Sequence, residues 1–178
     1  MKGTLHHAGT RHTLRFERRL AHSLEKVWRA LTEASELAHW FPAEIHGPRE
    51  QGAALRFIFP GDPSKEAESG AAPAMDGTMI VFDPLRTLEY SWNGEILRFE
   101  LEPRDGHTLL VFTHTFEDVS KAARDASGWD VCLDSLERRL DGREPEPFTP
   151  ERFDALFGDY ARQFGPTASS RRAPATKH

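Results

Sequence analysis

Two titratable residues are predicted to lie on an apolar sheet face, where they could take part in chemistry: His114 and Tyr90. A histidine there could orient a ligand or transfer a proton, because imidazole donates and accepts protons near neutral pH. Tyr90 could present its hydroxyl to the same ligand. Both residues could equally serve the core, His114 through a local hydrogen bond and Tyr90 through its ring. The pattern therefore predicts that His114 and Tyr90 could anchor a ligand, but it does not supply a complete set of catalytic residues.

Other reactive groups are predicted to be poorly placed. Catalysis by paired carboxylates needs two acids that converge on one pocket, but the strand acids Glu89, Glu100 and Glu102 are expected to face outward. Glu95 alone could reach the mouth of a pocket. Cys132 would need a neighbouring base to form a thiolate.

Three histidines near the start of the chain offer metal-ligand atoms: His6, His7 and His12. They lack a repeated ligand spacing and lie at an end that is predicted to be flexible. No phosphate-binding glycine loop and no serine–histidine–aspartate order stands out. The sequence therefore predicts no catalytic residue, no metal and no cofactor.

Two predicted tight turns determine which strand residues share a face. Asn93-Gly94 and Asp105-Gly106 each suit a two-residue type I′ turn, which requires positive φ at both central positions. The first turn places Tyr90 opposite Leu97, and the second places Leu97 opposite His114. One face then carries Leu88, Tyr90, Trp92, Leu97, Phe99, Leu101, Leu110, Phe112 and His114.

A downstream helix has the right pattern to cover this apolar face. From Gly128 onward, apolar residues recur at helical spacing: Trp129, Cys132, Leu133, Leu136 and Leu140. Aromatic residues on the sheet, the helix and two flanking segments could line a cavity for an apolar ligand. The predicted cavity and ligand-binding residues are Trp40, Phe41, Phe57, Phe59, Tyr90, Trp92, Leu97, Phe99, Phe112, His114, Trp129 and Leu133. The same residues would also suit a solid core.

The remaining elements frame the sheet. A strand over Arg11–Arg19 is followed by two short helices, near Leu24–Thr32 and Ser35–His39. Further strands are expected at Ala43–His46 and Ala53–Phe59.

Beyond these elements, Pro60–Ala74 is rich in proline, glycine and alanine, which predicts a mobile loop that could act as a lid. An amphipathic helix over Phe153–Phe164 could dock on its own domain or form a homodimer. The chain is therefore divided into a main sheet-and-helix domain at 11–141, a helical extension at 142–164, and flexible tails at 1–10 and 165–178.

Composition excludes several function classes. A net charge of −5 and a pI near 6.0 give no attraction to a phosphate backbone, so nucleic-acid binding is not expected. Cys132 is the single cysteine and the first residues lack the apolar stretch of a signal peptide, which together favour a reducing cytoplasm. No apolar run approaches the ~20 residues that a membrane span requires.

Several short motifs occur in a characteristic order between about Arg11 and Leu140. They include VWRALT at Val27–Thr32, Trp40-Phe41, LEYSW at Leu88–Trp92, Thr108–His114, and Gly128-Trp129 with Leu133 and Leu136. Their order resembles the START-like helix-grip superfamily and, within it, the bacterial relatives of the activator of heat-shock-protein-90 ATPase.

The resemblance implies an α+β fold in which a curved antiparallel sheet of six to seven strands wraps around a long C-terminal helix. Two short helices would follow the first strand, and an internal cavity would bind a hydrophobic small molecule. The leading hypothesis is a stress-related or regulatory protein that binds a hydrophobic or aromatic small molecule. One alternative is a cyclase- or hydratase-like enzyme that uses His114 and Tyr90 on an aromatic or polyketide-like substrate. Another is an interaction module that regulates a chaperone.

Overall fold

The computed structural model describes residues 2–59 and 73–171, so nearly all of the predicted Pro60–Ala74 loop lies outside the described residues. The described strands are β1 (Thr4–Ala8), β2 (Arg11–Leu20), β3 (Glu44–His46), β4 (Ala54–Ile58), β5 (Ala74–Asp83), β6 (Thr87–Trp92), β7 (Glu95–Arg104) and β8 (His107–Phe116). The described α-helices are α1 (Leu24–Thr32), α2 (Ala34–Leu37), α3 (Ala122–Leu140) and α4 (Pro150–Phe164).

The eight strands form one antiparallel sheet in the order β1-β2-β8-β7-β6-β5-β4-β3. Helix α3 packs on its apolar face, with the Trp129 ring 4.6 Å from the Phe112 ring between centroids. The predicted α+β, helix-grip architecture is therefore confirmed, with α1 and α2 following strand β2. None of the described helices is long and apolar enough to cross a membrane.

The first residues are not a flexible tail, and the described sheet has eight strands where six to seven were predicted. Residues 4–8 form β1, which pairs with β2 so that Leu5 lies opposite Leu14. Gly9 allows the hairpin to close because it adopts a positive φ of 61°. The segment contains one large apolar residue among polar ones, so the alternation that indicates a strand is weak there.

The predicted register of the central strands is confirmed. Tyr90 pairs with Leu97, and Leu97 pairs with His114. Asn93 and Gly94 both have positive φ, 48° and 81°, as a type I′ turn requires. In the second turn Gly106 has a φ of 72°, but Asp105 is not among the described residues with positive φ. That turn is therefore not the predicted type I′ turn, although it preserves the pairing.

The middle of the apolar face is packed solid. The Phe99 and Phe112 rings stack with centroids 4.6 Å apart, and Leu97 and Leu133 are fully buried. Helix α3 begins at Ala122, before the apolar stripe that predicted it. Its first turns bury the small residues Ala122, Ala123 and Ala126, which lets the helix lie close to the sheet.

The C-terminal extension packs on its own chain. Thr149 caps α4 by accepting a hydrogen bond from the Arg152 backbone N–H at 3.2 Å, and Phe157 and Tyr160 are buried. These two residues of the apolar stripe therefore pack against their own chain. The homodimer through this helix stays a prediction. Ser170 donates its backbone N–H to Ser120 O at 2.7 Å, so the described part of the predicted tail at 165–178 is also docked.

A buried polar network fixes this extension. The Tyr160 hydroxyl donates to Asp130 Oδ2 at 2.7 Å and accepts from the Gly3 backbone N–H at 2.8 Å. Asp130 also pairs with buried Arg18, at 2.5 Å from Oδ1 to Nη2. One hydroxyl thereby joins α3 and α4 to the residue that precedes β1.

Tyr160→Phe is expected to lower the free energy of unfolding by about 1–3 kcal/mol, because it leaves a buried N–H and a buried carboxylate each short of one partner. Urea unfolding measures the change. Ala155→Ser, at an exposed position of the same helix, is the control and should cost less than about 0.5 kcal/mol. Equal stability of the two variants would show that the hydroxyl bridges nothing.

Candidate functional site

An aromatic pocket opens at one end of the apolar sheet face, beside α3, with a volume of about 560 Å³. Its apolar walls are Phe59, Trp92, Trp129 and Phe153. The Phe59 and Trp92 rings meet edge to face at 5.2 Å between centroids, and Trp92 and Trp129 lie 6.1 Å apart. Flat aromatic walls of this kind suit an apolar, planar ligand.

The secondary structure brings these walls and a polar edge together. Trp92 ends β6 and Glu95 begins β7, so the Asn93-Gly94 turn sets them side by side as a cross-strand pair. His114 lies on β8, and Trp129 lies on α3, seven residues after the helix begins, where its indole reaches His114. Three grooves of larger volume, about 710, 700 and 640 Å³, occur elsewhere in the described structure. The first is lined mainly by charged residues, the second has no aromatic lining residue, and the third has Phe41 but no tryptophan, so none offers the aromatic walls of this pocket.

His114 is held by partners on both ring nitrogens. The Trp129 indole N–H donates to His114 Nδ1 at 3.2 Å, and His114 Nε2 lies 2.7 Å from Glu95 Oε2. An indole N–H can only donate, so Nδ1 must be the acceptor nitrogen. The geometry thus assigns the proton to Nε2, which donates it to Glu95. His114 is a neutral, fully bonded histidine in this arrangement.

Lys121 completes the polar edge. Its buried ammonium bonds to Glu95 Oε1 and, at 3.0 Å, to Asp125 Oδ2. Burial raises the pKa of the Glu95 carboxyl, but hydrogen bonds from His114 and Lys121 outweigh burial and hold that pKa below its ordinary value. Glu95 is therefore a carboxylate at neutral pH.

This lowered pKa makes Glu95 a source of pH-dependent stability. Its contribution is complete above the ordinary carboxyl pKa of 4.5 and is lost as the pH falls through the lower folded-state pKa. We expect Glu95→Gln to flatten the dependence of unfolding free energy on pH in the acid range below about pH 4.5. Denaturant titrations across that range measure it, with exposed Glu102→Gln as control. An unchanged slope in Glu95→Gln would contradict the assignment.

The same cluster also contains three potential metal ligands. Glu95, His114 and Asp125 each offer one ligand atom, and these atoms lie within 4.8 Å of one another. Lys121 contacts both carboxylates, so it already supplies the positive charge that a cation would bring. These three residues could hold a metal ion only if Lys121 moved away. The ion pairs that Lys121 makes with the two carboxylates, and the hydrogen bond from His114 to Glu95, are sufficient to explain why these residues lie together.

Four of the twelve predicted ligand-binding residues line the aromatic pocket: Phe59, Trp92, His114 and Trp129. Phe41 instead borders a groove of about 640 Å³ beside α2 and β3. The others lie in the solid core and do not line this pocket: Trp40, Phe57, Tyr90, Leu97, Phe99, Phe112 and Leu133. Burial raises the pKa of the Tyr90 hydroxyl above its usual range, so this group stays a neutral phenol.

The structure also places pocket residues that sequence reasoning missed. Lys121 and Asp125 join the polar edge, and Phe153 joins the apolar wall from the extension. The i, i+4 spacing of Lys121 and Asp125 could have indicated an ion pair on a helix. Cys132 lines the pocket too, but burial raises the pKa of its thiol to about 12, which leaves it protonated and unsuited to nucleophilic attack.

Comparisons with solved structures support the fold. The chain is 23% identical to a conserved protein of unknown function from Enterococcus faecalis, with a TM-score of 0.73 over 91% of this chain and 90% of that chain. It is 28% identical to a protein from Bordetella parapertussis, with a TM-score of 0.68 over 85% of each chain. It is 19% identical to CalU16 from Micromonospora echinospora, with a TM-score of 0.70 over 92% of this chain and 97% of that chain.

A search of curated proteins finds no match to the chain. A family model described as "Activator of Hsp90 ATPase homolog 1-like protein" matches residues 21–141, from the end of β2 to the end of α3. That range includes the whole polar edge of the aromatic pocket and leaves Phe153 outside it. Since the match covers more than half of the 178 residues, the chain belongs to the Activator of Hsp90 ATPase homolog 1-like protein family.

Proposed function

We propose that this chain binds a hydrophobic, aromatic small molecule in the aromatic pocket. The observation that carries the proposal is the set of four aromatic walls around about 560 Å³, with polar groups gathered at one edge. Small-molecule sites commonly enclose ~300–1,000 Å³ and are mostly apolar with a few polar anchors. Membership of the family, and the likeness to solved structures, fit a ligand-binding fold.

The ligand site in this proposal is shallower than a cavity that runs through the fold. Phe99 and Phe112 fill the centre of the sheet face, so the ligand lies between the strand ends and α3. The unit at 11–141 supplies most of the site, and Phe153 of the extension at 142–164 closes one side.

The contacts of His114 and the position of Tyr90 favour ligand binding without catalysis. The cyclase-like alternative needs His114 and Tyr90 to act on one substrate, but Tyr90 does not line the aromatic pocket. Both ring nitrogens of His114 are already bonded, to Glu95 and Trp129.

We also propose a cytoplasmic location, because the single cysteine offers no internal disulfide.

Titration with the neutral fluorescent probe N-phenyl-1-naphthylamine tests the proposal. We expect saturable binding at one site with a dissociation constant in the micromolar range. Native mass spectrometry of freshly purified protein complements it, since a retained ligand adds mass and should compete with the probe. The absence of saturable probe binding would contradict the proposed function.

A further inference from the structure

Four hydrogen-bond donor groups near Glu95, at the inner polar edge of the aromatic pocket, already have partners within the protein. His114 gives its Nε2 proton to Glu95, and the Trp129 indole N–H is bonded to His114 Nδ1. Lys121 is bonded to Glu95 and Asp125, and its side chain is 7% exposed. Arg124 donates to Asp125 Oδ1 from Nε at 3.0 Å and from Nη2 at 2.8 Å. A ligand therefore meets few donors at this edge.

The Glu95 carboxylate at the same edge can still accept a hydrogen bond. A carboxylate has about four lone-pair positions. Glu95 uses one on each oxygen, for His114 and for Lys121, and its side chain is 22% exposed. Glu95 can therefore accept a further hydrogen bond from a ligand, without losing either protein partner.

The charge balance at this edge favours a neutral ligand group. The Lys121 ammonium bonds to Glu95 and Asp125, and Arg124 bonds to Asp125, so the two carboxylates are matched by two cations. An anionic ligand group would lie against the Glu95 carboxylate, where it would lose hydration and be repelled by a like charge. A hydroxyl group avoids both costs, because it is uncharged and brings its own donor.

We propose that the aromatic pocket selects a flat aromatic molecule that carries a neutral hydroxyl group, and that this hydroxyl donates to the Glu95 carboxylate. The ring lies among Trp92, Trp129 and Phe59, and the hydroxyl reaches the edge where β7 begins. This inference rests on the proposed function, because it names the ligand class of the same pocket. Hydrogen bonds to an ionised acceptor are roughly twice as strong as neutral ones, so the contact discriminates between ligands.

Calorimetric titration of the unaltered protein with four related probes tests the ligand class. The probes are 2-naphthol, 2-methoxynaphthalene, naphthalene and 2-naphthoate. We expect 2-naphthol to bind about tenfold more tightly than 2-methoxynaphthalene, which has the same ring but no donor. The carboxylate probe should bind most weakly of the four.

The Glu95→Gln variant assigns the preference to one side chain. A neutral amide is a weaker acceptor, so the advantage of 2-naphthol over 2-methoxynaphthalene should fall below about threefold. The exposed Glu102→Gln variant on the outer face should keep the full advantage. Circular dichroism establishes that both variants are folded, and the comparison of probes on the unaltered protein needs no variant at all.

The outcomes separate the inference from the proposed function. Equal binding of 2-naphthol, 2-methoxynaphthalene and naphthalene would overturn the hydroxyl preference and leave the binding function in place. Tighter binding of 2-naphthoate than of 2-naphthol would also overturn it. Failure of all four probes and of N-phenyl-1-naphthylamine would overturn both. A full 2-naphthol advantage in folded Glu95→Gln would show that another group accepts the hydrogen bond.

Discussion

Gly128→Leu is expected to weaken probe binding strongly while the protein stays folded. Gly128 lines the aromatic pocket, and a Cβ added there meets no heavy atom within 4 Å. The leucine side chain therefore has open space, which is the space of the pocket. Leucine is also a better helix former than glycine by up to about 1 kcal/mol, so α3 should not be weakened. We expect affinity for N-phenyl-1-naphthylamine to fall by about a hundredfold, a loss of about 2.7 kcal/mol.

The matched control is Gly158→Leu, a glycine of α4 that does not line the aromatic pocket. Its added Cβ would contact Arg162 Nη1 at 3.5 Å, an ordinary van der Waals distance. This control should bind the probe as the unaltered protein does, and urea unfolding should show both variants to be folded. A Gly128→Leu protein that binds the probe normally would place the site elsewhere.

Phe112→Ala is expected to lower the free energy of unfolding by about 3–5 kcal/mol. The Phe112 side chain is fully buried, with ring centroids 4.6 Å from Phe99, 4.6 Å from Trp129 and 6.0 Å from Phe16. Its removal leaves a cavity in a rigid aromatic cluster that cannot collapse around it.

Denaturant unfolding measures this cost, and Phe148→Ala provides the comparison. Phe148 is 63% exposed, so its truncation should cost less than about 0.5 kcal/mol. A loss below about 1.5 kcal/mol for Phe112→Ala would show that the ring lines an existing void rather than a solid core.

The sheet could be predicted in detail because its signals are local. Asn93-Gly94 sets the pairing of β6 with β7, and alternation along three strands then places Tyr90, Leu97 and His114 in one row. Even the second turn, whose type was predicted wrongly, kept the pairing. Strand β1 escaped prediction because its one large apolar residue, Leu5, gives almost no alternation.

The site could be predicted only in part, because packing in three dimensions divides similar residues between core and pocket. Phe112 and Trp129 are both aromatic and face each other, yet only Trp129 lines the aromatic pocket. No periodicity distinguishes them. Lys121 and Phe153 come from turns and helices that reach the pocket through tertiary contacts, so their roles depend on the fold rather than on a motif.

The indole N–H signals of the four tryptophans, followed by NMR during titration with N-phenyl-1-naphthylamine, test the central claim most directly. Each signal can be assigned with one Trp→Phe variant. Trp92 and Trp129 line the aromatic pocket, whereas Trp40 donates to Ala30 O at 2.8 Å in the core and Trp28 packs on Phe82. We predict that the Trp92 and Trp129 signals shift with the probe while the Trp28 and Trp40 signals stay in place. Shifts at Trp28 or Trp40, with Trp92 and Trp129 unmoved, would contradict the account.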